Sequence, residues 1–371
     1  MRILTLGRLP EHEIGGLPLF TAGMAEAMTA LGHDCRVVHP GRSLTQGTYA
    51  FPTYAAGDSN WPIKGRTANF RKAFAAARTV RDHVEEVDPD VLHVQYGGAM
   101  DLAVLPGLAK LGIPVVVTAH CGRSWAHLSH APRLSARRLA TASRVLVLTG
   151  DQRDLFLSAG MDPEHVHTVG TLIDDEFFRS PRRVRQNALG PRRCLYLGRI
   201  APEKGLETVI QALQAMQPEE RPRFMAVGPV DPSYEDRLLE LATGLGSAFE
   251  LQGPVHSVSQ RIRLLDEAEC LLHPTLSDVK PLVVLEAMAR ELPILASSLP
   301  GTSELLAGIG RTFAPGSVAG LRDHLQAMHR RSDYLGSADG AAGRPLALRS
   351  TPAAAAAETI RHFEACLVPV A

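Results

Sequence analysis

Residues 277 to 289 read Ser-Asp-Val-Lys-Pro-Leu-Val-Val-Leu-Glu-Ala-Met-Ala, with two carboxylates eight positions apart on either side of a proline and an apolar run. Proline is favoured at the first turn of a helix, where its missing N–H leaves nothing unpaired. If Pro281 opens a helix, the amides that follow it point back along the axis and make an anion site. Pro281 itself cannot donate, so those amides belong to Leu282 and Val283. Asp278 then stands at the mouth of the site and Glu286 about two turns inside it. A phosphate at the helix start, with a carboxylate on each side for hydroxyl groups, is the chemistry of a nucleotide-sugar pocket.

A second stretch offers the matching cations. Leu197-Gly198-Arg199-Ile200-Ala201-Pro202-Glu203-Lys204-Gly205 follows an apolar run and places Arg199 and Lys204 five apart on one loop. Fixed cations there would suit a diphosphate and stabilise charge growing on a leaving group; the alternative is a surface loop with solvated cations. Gly15-Gly16 follows the first apolar run, where glycine lets backbone approach a ligand, although a plain turn reads equally well and no GxGxxG is present. His120 follows the run Val115 to Ala119, at a position expected to be the carboxyl end of a strand. A lone histidine there, like His93, His127 and His130, is more often a structural hydrogen-bonding residue. His127 and His130 lack further partners at metal-ligand spacing, so no metal site is expected. Asp88-Pro89-Asp90 has the look of a metal-binding DxD but precedes a strand pattern, and reads better as a helix end and turn. Asp174-Asp175-Glu176 reads as a solvated loop.

These residues need strand ends to carry them. Buried-strand patterns occur at Arg2 to Leu6, Asp34 to His39, Val91 to Gln95, Pro114 to Ala119 and Val145 to Thr149. A second series falls at Cys194 to Leu197, Phe224 to Val227, Phe249 to Gln252, Cys270 to His273 and Ile294 to Ser297. Helical patterns lie between them, among them Leu19 to Leu31 and Leu206 to Gln217, and an alanine-rich one closes the chain from Pro352 to Leu367. Such alternation predicts βαβ units and parallel sheets. The polar, basic stretch Arg179 to Arg193 reads as a linker and the Gly/Ala/Pro-rich stretch Gly336 to Arg349 as a loop. The expected architecture is two doubly wound α/β domains with a cleft between them, ligands lying at carboxyl strand ends.

Composition narrows the classes. In 371 residues, 45% hydrophobic and 21% charged, Lys plus Arg and Asp plus Glu number 39 each. That balance argues against a dedicated nucleic-acid binder. The odd, scattered set Cys35, Cys121, Cys194, Cys270 and Cys366 suggests neither a disulfide framework nor a zinc site, and a reducing, cytoplasmic setting fits it. No apolar run is long enough for a membrane span, and none at the start reads as a signal peptide.

Taken together the motifs resemble the family-4 retaining glycosyltransferases of the GT-B fold, across nearly the whole chain. Gly15-Gly16 with Ala25 to Pro40, Pro89 to Gln95, and Val115 to His120 look like the family's N-terminal half. Leu197 to Gly205 and Asp278 to Ala289 look like its two donor-site motifs. The resemblance implies two Rossmann-like domains, 1–178 for the acceptor and 194–349 for the donor, a linker at 179–193, and a C-terminal helix in 350–371 that crosses back to the first domain. It implies that Arg199 and Lys204 hold the nucleotide diphosphate and that Glu286 binds the ribose hydroxyls. Asp278 would contact the transferred sugar, His120 would contact that sugar near its reacting carbon, and Gly16 would let the N-terminal loop pack on the donor phosphate. It further implies retention at the anomeric carbon, no bound metal, and no cofactor beyond the UDP- or GDP-type donor.

Two departures from the family pattern stand out. Asp278 is one methylene shorter than the family's glutamate. Val279-Lys280-Pro281 replaces the common Gly-Phe-Gly, with Lys280 bringing a charge that either meets an anionic or hydroxyl-rich ligand or points to solvent, solvent being slightly favoured. The expected acceptor is a small, soluble hydroxylated molecule such as an aminocyclitol or antibiotic core, with Glu11, Glu13 and Asp58 as loop acids that could meet its amines. Self-association into a homodimer stays open. The rival readings are a nucleotide-sugar epimerase of the same fold and a non-catalytic binding protein.

Overall fold

The computed structural model describes residues 1–10, 16–39, 43–45, 47–56, 66–96, 98–121, 131–179, 192–331, 333–335 and 340–368, with backbone alone at 66–73 and 99–101. Gly15, Glu11, Glu13, Asp58, His127, His130 and most of the expected linker lie outside these residues. The chain divides into two compact units, 1–172 with 351–371, and 173–350.

In the first unit, the strands are β1 (Arg2–Leu6), β2 (Asp34–His39), β3 (Thr53–Ala55), β4 (Val91–Tyr96), β5 (Val115–Ala119), β6 (Arg144–Val147) and β7 (Val166–Thr168). They form one sheet in the order β3-β2-β1-β4-β5-β6-β7, and every pairing is parallel. The strands are short and rich in Val, Ile and Leu because both faces are covered, as parallel sheets require. One face packs under the helix Gly16–Ala30, whose Phe20, Met24 and Met28 meet Val37, Val116 and Leu146 in a core shared with Ala356, Ile360 and Phe363 of the terminal helix Pro352–Leu367. Gly16 is the first residue of its helix.

The second unit repeats the plan with β8 (Arg193–Leu197), β9 (Arg223–Val227), β10 (Phe249–Gln252), β11 (Cys270–His273), β12 (Ile294–Ser297) and β13 (Arg311–Phe313). Their order is β10-β9-β8-β11-β12-β13, again all parallel. Strand order reverses between β1 and β4 in one sheet and between β8 and β11 in the other. Open α/β sheets bind ligands beyond the carboxyl ends of strands at such points.

Two expectations change. The second unit begins at Ile173 rather than at Cys194, because Ile173 and Phe177 are buried among Val284, Leu285 and Met288. The stretch Gly336 to Arg349 is not wholly loop: it holds the helix Gly343–Ala347. A Cβ on Gly343 would lie 3.1 Å from the Met288 side chain, so the small residue serves close helix packing rather than a turn. The strands β3, β7 and β13, each of three residues, are too short to leave a periodic signal.

Candidate functional site

The second unit carries the charged motifs. β8 ends at Leu197 and the chain passes through Gly198–Ala201 into a tight turn, Pro202–Lys204. Gly205 then turns with φ of 71°, and a Cβ there would lie 2.2 Å from the Pro274 carbonyl oxygen. Only glycine lets the loop after β8 sit this close to the loop after β11. The Glu203 carbonyl completes the join, accepting from the Leu276 amide at 2.9 Å and the Thr275 hydroxyl at 3.3 Å.

The join brings Lys204 to Asp278. Lys204 Nζ donates to Asp278 Oδ2 at 2.7 Å, with the two side chains 18% and 20% exposed. Arg199 behaves differently: it pairs with Glu203, and these side chains are 50% and 41% exposed. The two cations expected on this loop therefore divide into one held inward and one at the surface.

The helix that follows spans Leu282–Ala289. Pro281 stands just before it, at φ −70° and ψ 113°, and its carbonyl accepts from the Val284 amide at 3.1 Å. The proline thus caps the helix instead of forming its first turn, and the amides of Leu282 and Val283 have no carbonyl behind them in the helix. Lys280, expected in solvent, is half-buried and has a partner.

Glu286 lies inside the same helix with its side chain 3% exposed. Arg261 donates to Oε1, while Oε2 is buried without a partner among the described residues. Burial pushes the Glu286 carboxyl above its ordinary range, and the Arg261 charge and hydrogen bond pull it back. Arg261 is itself steadied over the Phe177 ring, 5.5 Å from its centroid. Beyond it, the fully buried Arg290 grips both oxygens of Asp266 at 2.9 and 2.8 Å and donates to the Phe177 carbonyl at 3.1 Å.

His273 ends β11 beside this group. Its Nε2 is 3.9 Å from Asp278 Oδ2, neither ring nitrogen has a hydrogen-bond partner among the described residues, and the ring lies parallel to that of Tyr196 at 6.4 Å. Burial lowers its pKa to about 4, with Asp278 raising it and Lys204 lowering it further.

The first unit carries an uncharged counterpart. His120 Nε2 meets Gln95 Oε1 at 2.7 Å, Gln95 Nε2 meets His93 Nε2 at 3.2 Å, and His93 Nε2 meets Thr118 Oγ1 at 2.8 Å. Since an amide oxygen only accepts, the His120 proton sits on Nε2 and Nδ1 is left as an acceptor. The His120 ring rests edge-on against Phe20, with centroids 4.7 Å apart. Burial lowers both imidazoles to about 3, and His120 adds to the effect on His93. Both rings are neutral at physiological pH.

Other motifs prove structural. Asp88 and Asp90 both bind the Arg2 guanidinium, Asp90 at 3.0 Å, and tie the starts of β1 and β4 together. Asp174 accepts from the Glu176 amide at 2.8 Å. Among the described residues no group of three His, Cys, Asp or Glu is arranged to hold a metal ion, and no helix is long and apolar enough to cross a membrane. A pocket of about 130 Å³ lies at the amino ends of β8 and β9, lined by Arg193, Arg223, Glu250 and Glu267 among others. It is at the wrong end of those strands to belong with Lys204 and Asp278.

Comparison with known proteins decides the family. Residues 14–177 match the model for Glycosyltransferase Family 4, and residues 191–331 match that for Glycosyl transferases group 1. The chain belongs to the family-4 glycosyltransferases of the GT-B fold. This family-4 chain is similar to the sulfoquinovosyl transferase SQD2 of Arabidopsis thaliana, at 26% identity over 66% of the chain and 51% of that protein. It is also similar to the alpha-D-kanosaminyltransferase of Streptomyces kanamyceticus, at 27% identity over 58% of the chain and 61% of that protein. The chain therefore spans a little over half the length of these two relatives. Among solved structures, Anabaena HepE in complex with UDP and glucose superposes with a TM-score of 0.75 at 18% identity, covering 98% of this chain and 99% of that one.

The structure of this family-4 chain brings Lys204, Asp278, Glu286 and the Leu282 and Val283 amides into one unit, with Arg199 at the edge of the same loop. Gly16 and His120 belong to the other unit. Sequence reasoning missed Arg261, His273, Gln95 and Arg290. For His273 a signal existed, because it ends the strand that leads directly into Asp278.

Proposed function

We propose that the protein transfers a sugar, with retention, from a UDP- or GDP-type nucleotide-sugar to a hydroxyl of a small soluble acceptor, without a bound metal. The observation that carries this reading is the half-buried Lys204–Asp278 pair in the same unit as the open first-turn amides of a helix whose Glu286 keeps one carboxylate oxygen unmet. A diphosphate needs a cation and amide donors, which Lys204, Leu282 and Val283 supply, with Arg199 as a second, exposed cation at the rim. A ribose presents two neighbouring hydroxyl donors, and a buried carboxylate with a free oxygen is an acceptor for them. Asp278 is a second acceptor, for hydroxyls of the transferred sugar.

The chemistry follows from the charges. As the bond from the anomeric carbon to the phosphate oxygen breaks, negative charge grows on the diphosphate. Lys204 and the helix amides, fixed in advance, stabilise it there. The leaving phosphate oxygen then takes the proton of the acceptor hydroxyl, which attacks from the same face. In this reading the second unit is the donor domain and the first the acceptor domain. His120, a neutral imidazole, and Gly15 and Gly16 are the first unit's candidates for the sugar and the donor phosphate by the family resemblance, and no cofactor is required.

The nucleotide class has separate support. HepE is described with UDP and glucose. The acceptor we propose is an aminocyclitol or antibiotic core; the alpha-D-kanosaminyltransferase among the relatives is named for the amino sugar it transfers. The five cysteines, none of them in a disulfide, accord with a reducing, cytoplasmic setting.

The test is calorimetric binding of UDP, GDP, ADP and dTDP with and without magnesium, followed by NMR of the glycoside formed from the matching donor. One nucleotide should bind without the metal and give a product with the donor's anomeric configuration. Binding by none of the four, or inverted product, would overturn the reading.

A further inference from the structure

Lys204 has two claims on it: Asp278 in the unloaded protein, and a diphosphate once a donor binds. Every time the cation turns to phosphate it leaves a carboxylate that is only 20% exposed, and a buried charge deprived of its partner is costly. Beside that carboxylate stands a ring with nothing to do. A neutral imidazole always carries one N–H, yet His273 is 3% exposed and both its nitrogens lack a partner.

We propose that His273 is a positioning residue that takes over Asp278 when Lys204 turns to the bound diphosphate, donating Nε2–H to Oδ2. The inference rests on the reading of Lys204 as the diphosphate cation. The ring is held in place for this. It lies parallel to Tyr196, at 6° and 6.4 Å, and the Tyr196 hydroxyl is anchored on the Arg199 carbonyl at 2.6 Å. The His273 carbonyl accepts from Ser297 Oγ at 3.3 Å. Closing the present 3.9 Å gap to hydrogen-bond length needs a movement of about 1 Å, within reach of an aspartate released by its lysine. Asp278 then keeps its orientation, and its second oxygen stays available to a sugar hydroxyl.

The exchange has a proton signature. The charged and titratable groups facing the ring are Asp278 and Lys204 on the two loops and Tyr196 on β8, which burial keeps protonated. In the unloaded protein burial and Lys204 hold the imidazole at about 4 against the pull of Asp278. Withdrawing Lys204 removes one lowering influence while burial and the opposing pull of Asp278 remain, so the pKa rises on binding. The loaded state then binds more protons, and affinity increases as pH falls.

Isothermal titration with UDP-, GDP-, ADP- and dTDP-glucose, in buffers of different ionisation heat, reads this directly, because the diphosphate diester does not itself titrate near neutrality. For the sugar nucleotide that binds, we expect net proton uptake between pH 5 and pH 6 and binding several-fold tighter at pH 5 than at pH 8. His273→Gln keeps an N–H but cannot take a proton, so uptake and pH dependence should vanish. His273→Leu should bind about tenfold more weakly than His273→Gln at the same pH. Binding by none of the four overturns both this proposal and the reading it rests on. Binding with no proton uptake, or with uptake that survives in His273→Gln, overturns this proposal alone.

Discussion

Each sheet carries a polar cluster at the carboxyl ends of its central strands, and the two clusters are built on opposite principles. In the first unit, His120, Gln95, His93 and Thr118 form an uncharged chain in which each member meets the next at hydrogen-bond distance. In the second, Lys204, Asp278, Arg261 and Glu286 are charged, and the cluster keeps unmet atoms at His273 and Glu286 Oε2. Burial treats the two differently. Neutral groups that bond one another lose little by leaving water, whereas charges must be paired and buried polar atoms without partners are costly. The second unit tolerates that cost, and a bound ligand would remove it. The closed cluster is built to hold one ring at one angle, and the open one to receive something.

The sharpest way to break the comparison is to remove a charge from the open cluster. In Lys204→Ala, the half-buried Asp278 loses its cation, and the growing charge on a leaving diphosphate loses its fixed partner. Transfer should fall by about a hundredfold or more, and Glu286→Ala should abolish nucleotide binding in the same calorimetric assay. Wild-type kinetics in Lys204→Ala would show that the pair is structural only.

Acid should separate the units next. His93 and His120 are lowered to about 3, and His362, beside His167, to about 4. A histidine depressed in the folded state contributes stability that is present above its unfolded pKa, near 6.5, and is lost as pH falls towards the folded value. A fully buried one costs about 1.4 kcal/mol per pH unit in that window, and the half-buried His362 costs less because solvent screens it. Near pH 5.5 the first unit should therefore lose roughly 2–4 kcal/mol. The second unit has His273 acting in the same direction. Glu286, raised by burial, acts oppositely: its contribution is present below the unfolded pKa and lost as pH rises. Hydrogen exchange should show β4 and β5 opening at a higher pH than β8 and β11, and simultaneous opening would remove the distinction.

Gln95→Leu tests whether the closed cluster positions His120. The substitution leaves the His120 Nε2–H and the His93 ring without their shared partner, at about 1–3 kcal/mol of stability. Turnover should fall while nucleotide affinity stays near wild type, because the donor site we propose lies in the other unit. Gln95→Glu, which restores an acceptor for His120, should recover part of the turnover. Equal loss in both variants would make Gln95 a packing residue.

Most strands were legible because parallel strands are short apolar runs between glycines and prolines. Phe249–Gln252, Cys270–His273 and Ile294–Ser297 are placed by that pattern to the residue. The charged half of the site was legible for a related reason, since Lys204 and Asp278 sit on loops immediately after two such strands. What stayed hidden depends on pairing between distant segments. Nothing in the sequence joins Arg261 to Glu286 or Arg290 to Asp266, and the place of His273 at the end of the strand before Asp278 does not by itself tell an unmet ring from a satisfied one. Gln95 and His120 meet only because β4 and β5 are neighbours in register. Gly343 misled, because glycine that lets helices pack closely looks in sequence like glycine that turns a chain.

The smallest expected effect is the most telling about specificity. Asp278→Glu adds one methylene to a side chain whose partner, Lys204, ends in a flexible stem, so the ion pair can re-form with a small shift of the ammonium. Stability should change by less than about 1 kcal/mol. The carboxylate oxygens, however, move by roughly a bond length towards wherever a sugar hydroxyl would lie, and away from the His273 ring fixed on Tyr196. A site that recognises a hydroxyl by a buried acceptor discriminates strongly when that acceptor is displaced. The ratio of kcat/KM between two donors that differ at one hydroxyl should therefore shift several-fold while the melting temperature barely moves. If the ratio holds and the melting temperature drops, Asp278 belongs with the closed cluster's logic, as a residue that exists to keep its neighbours in place.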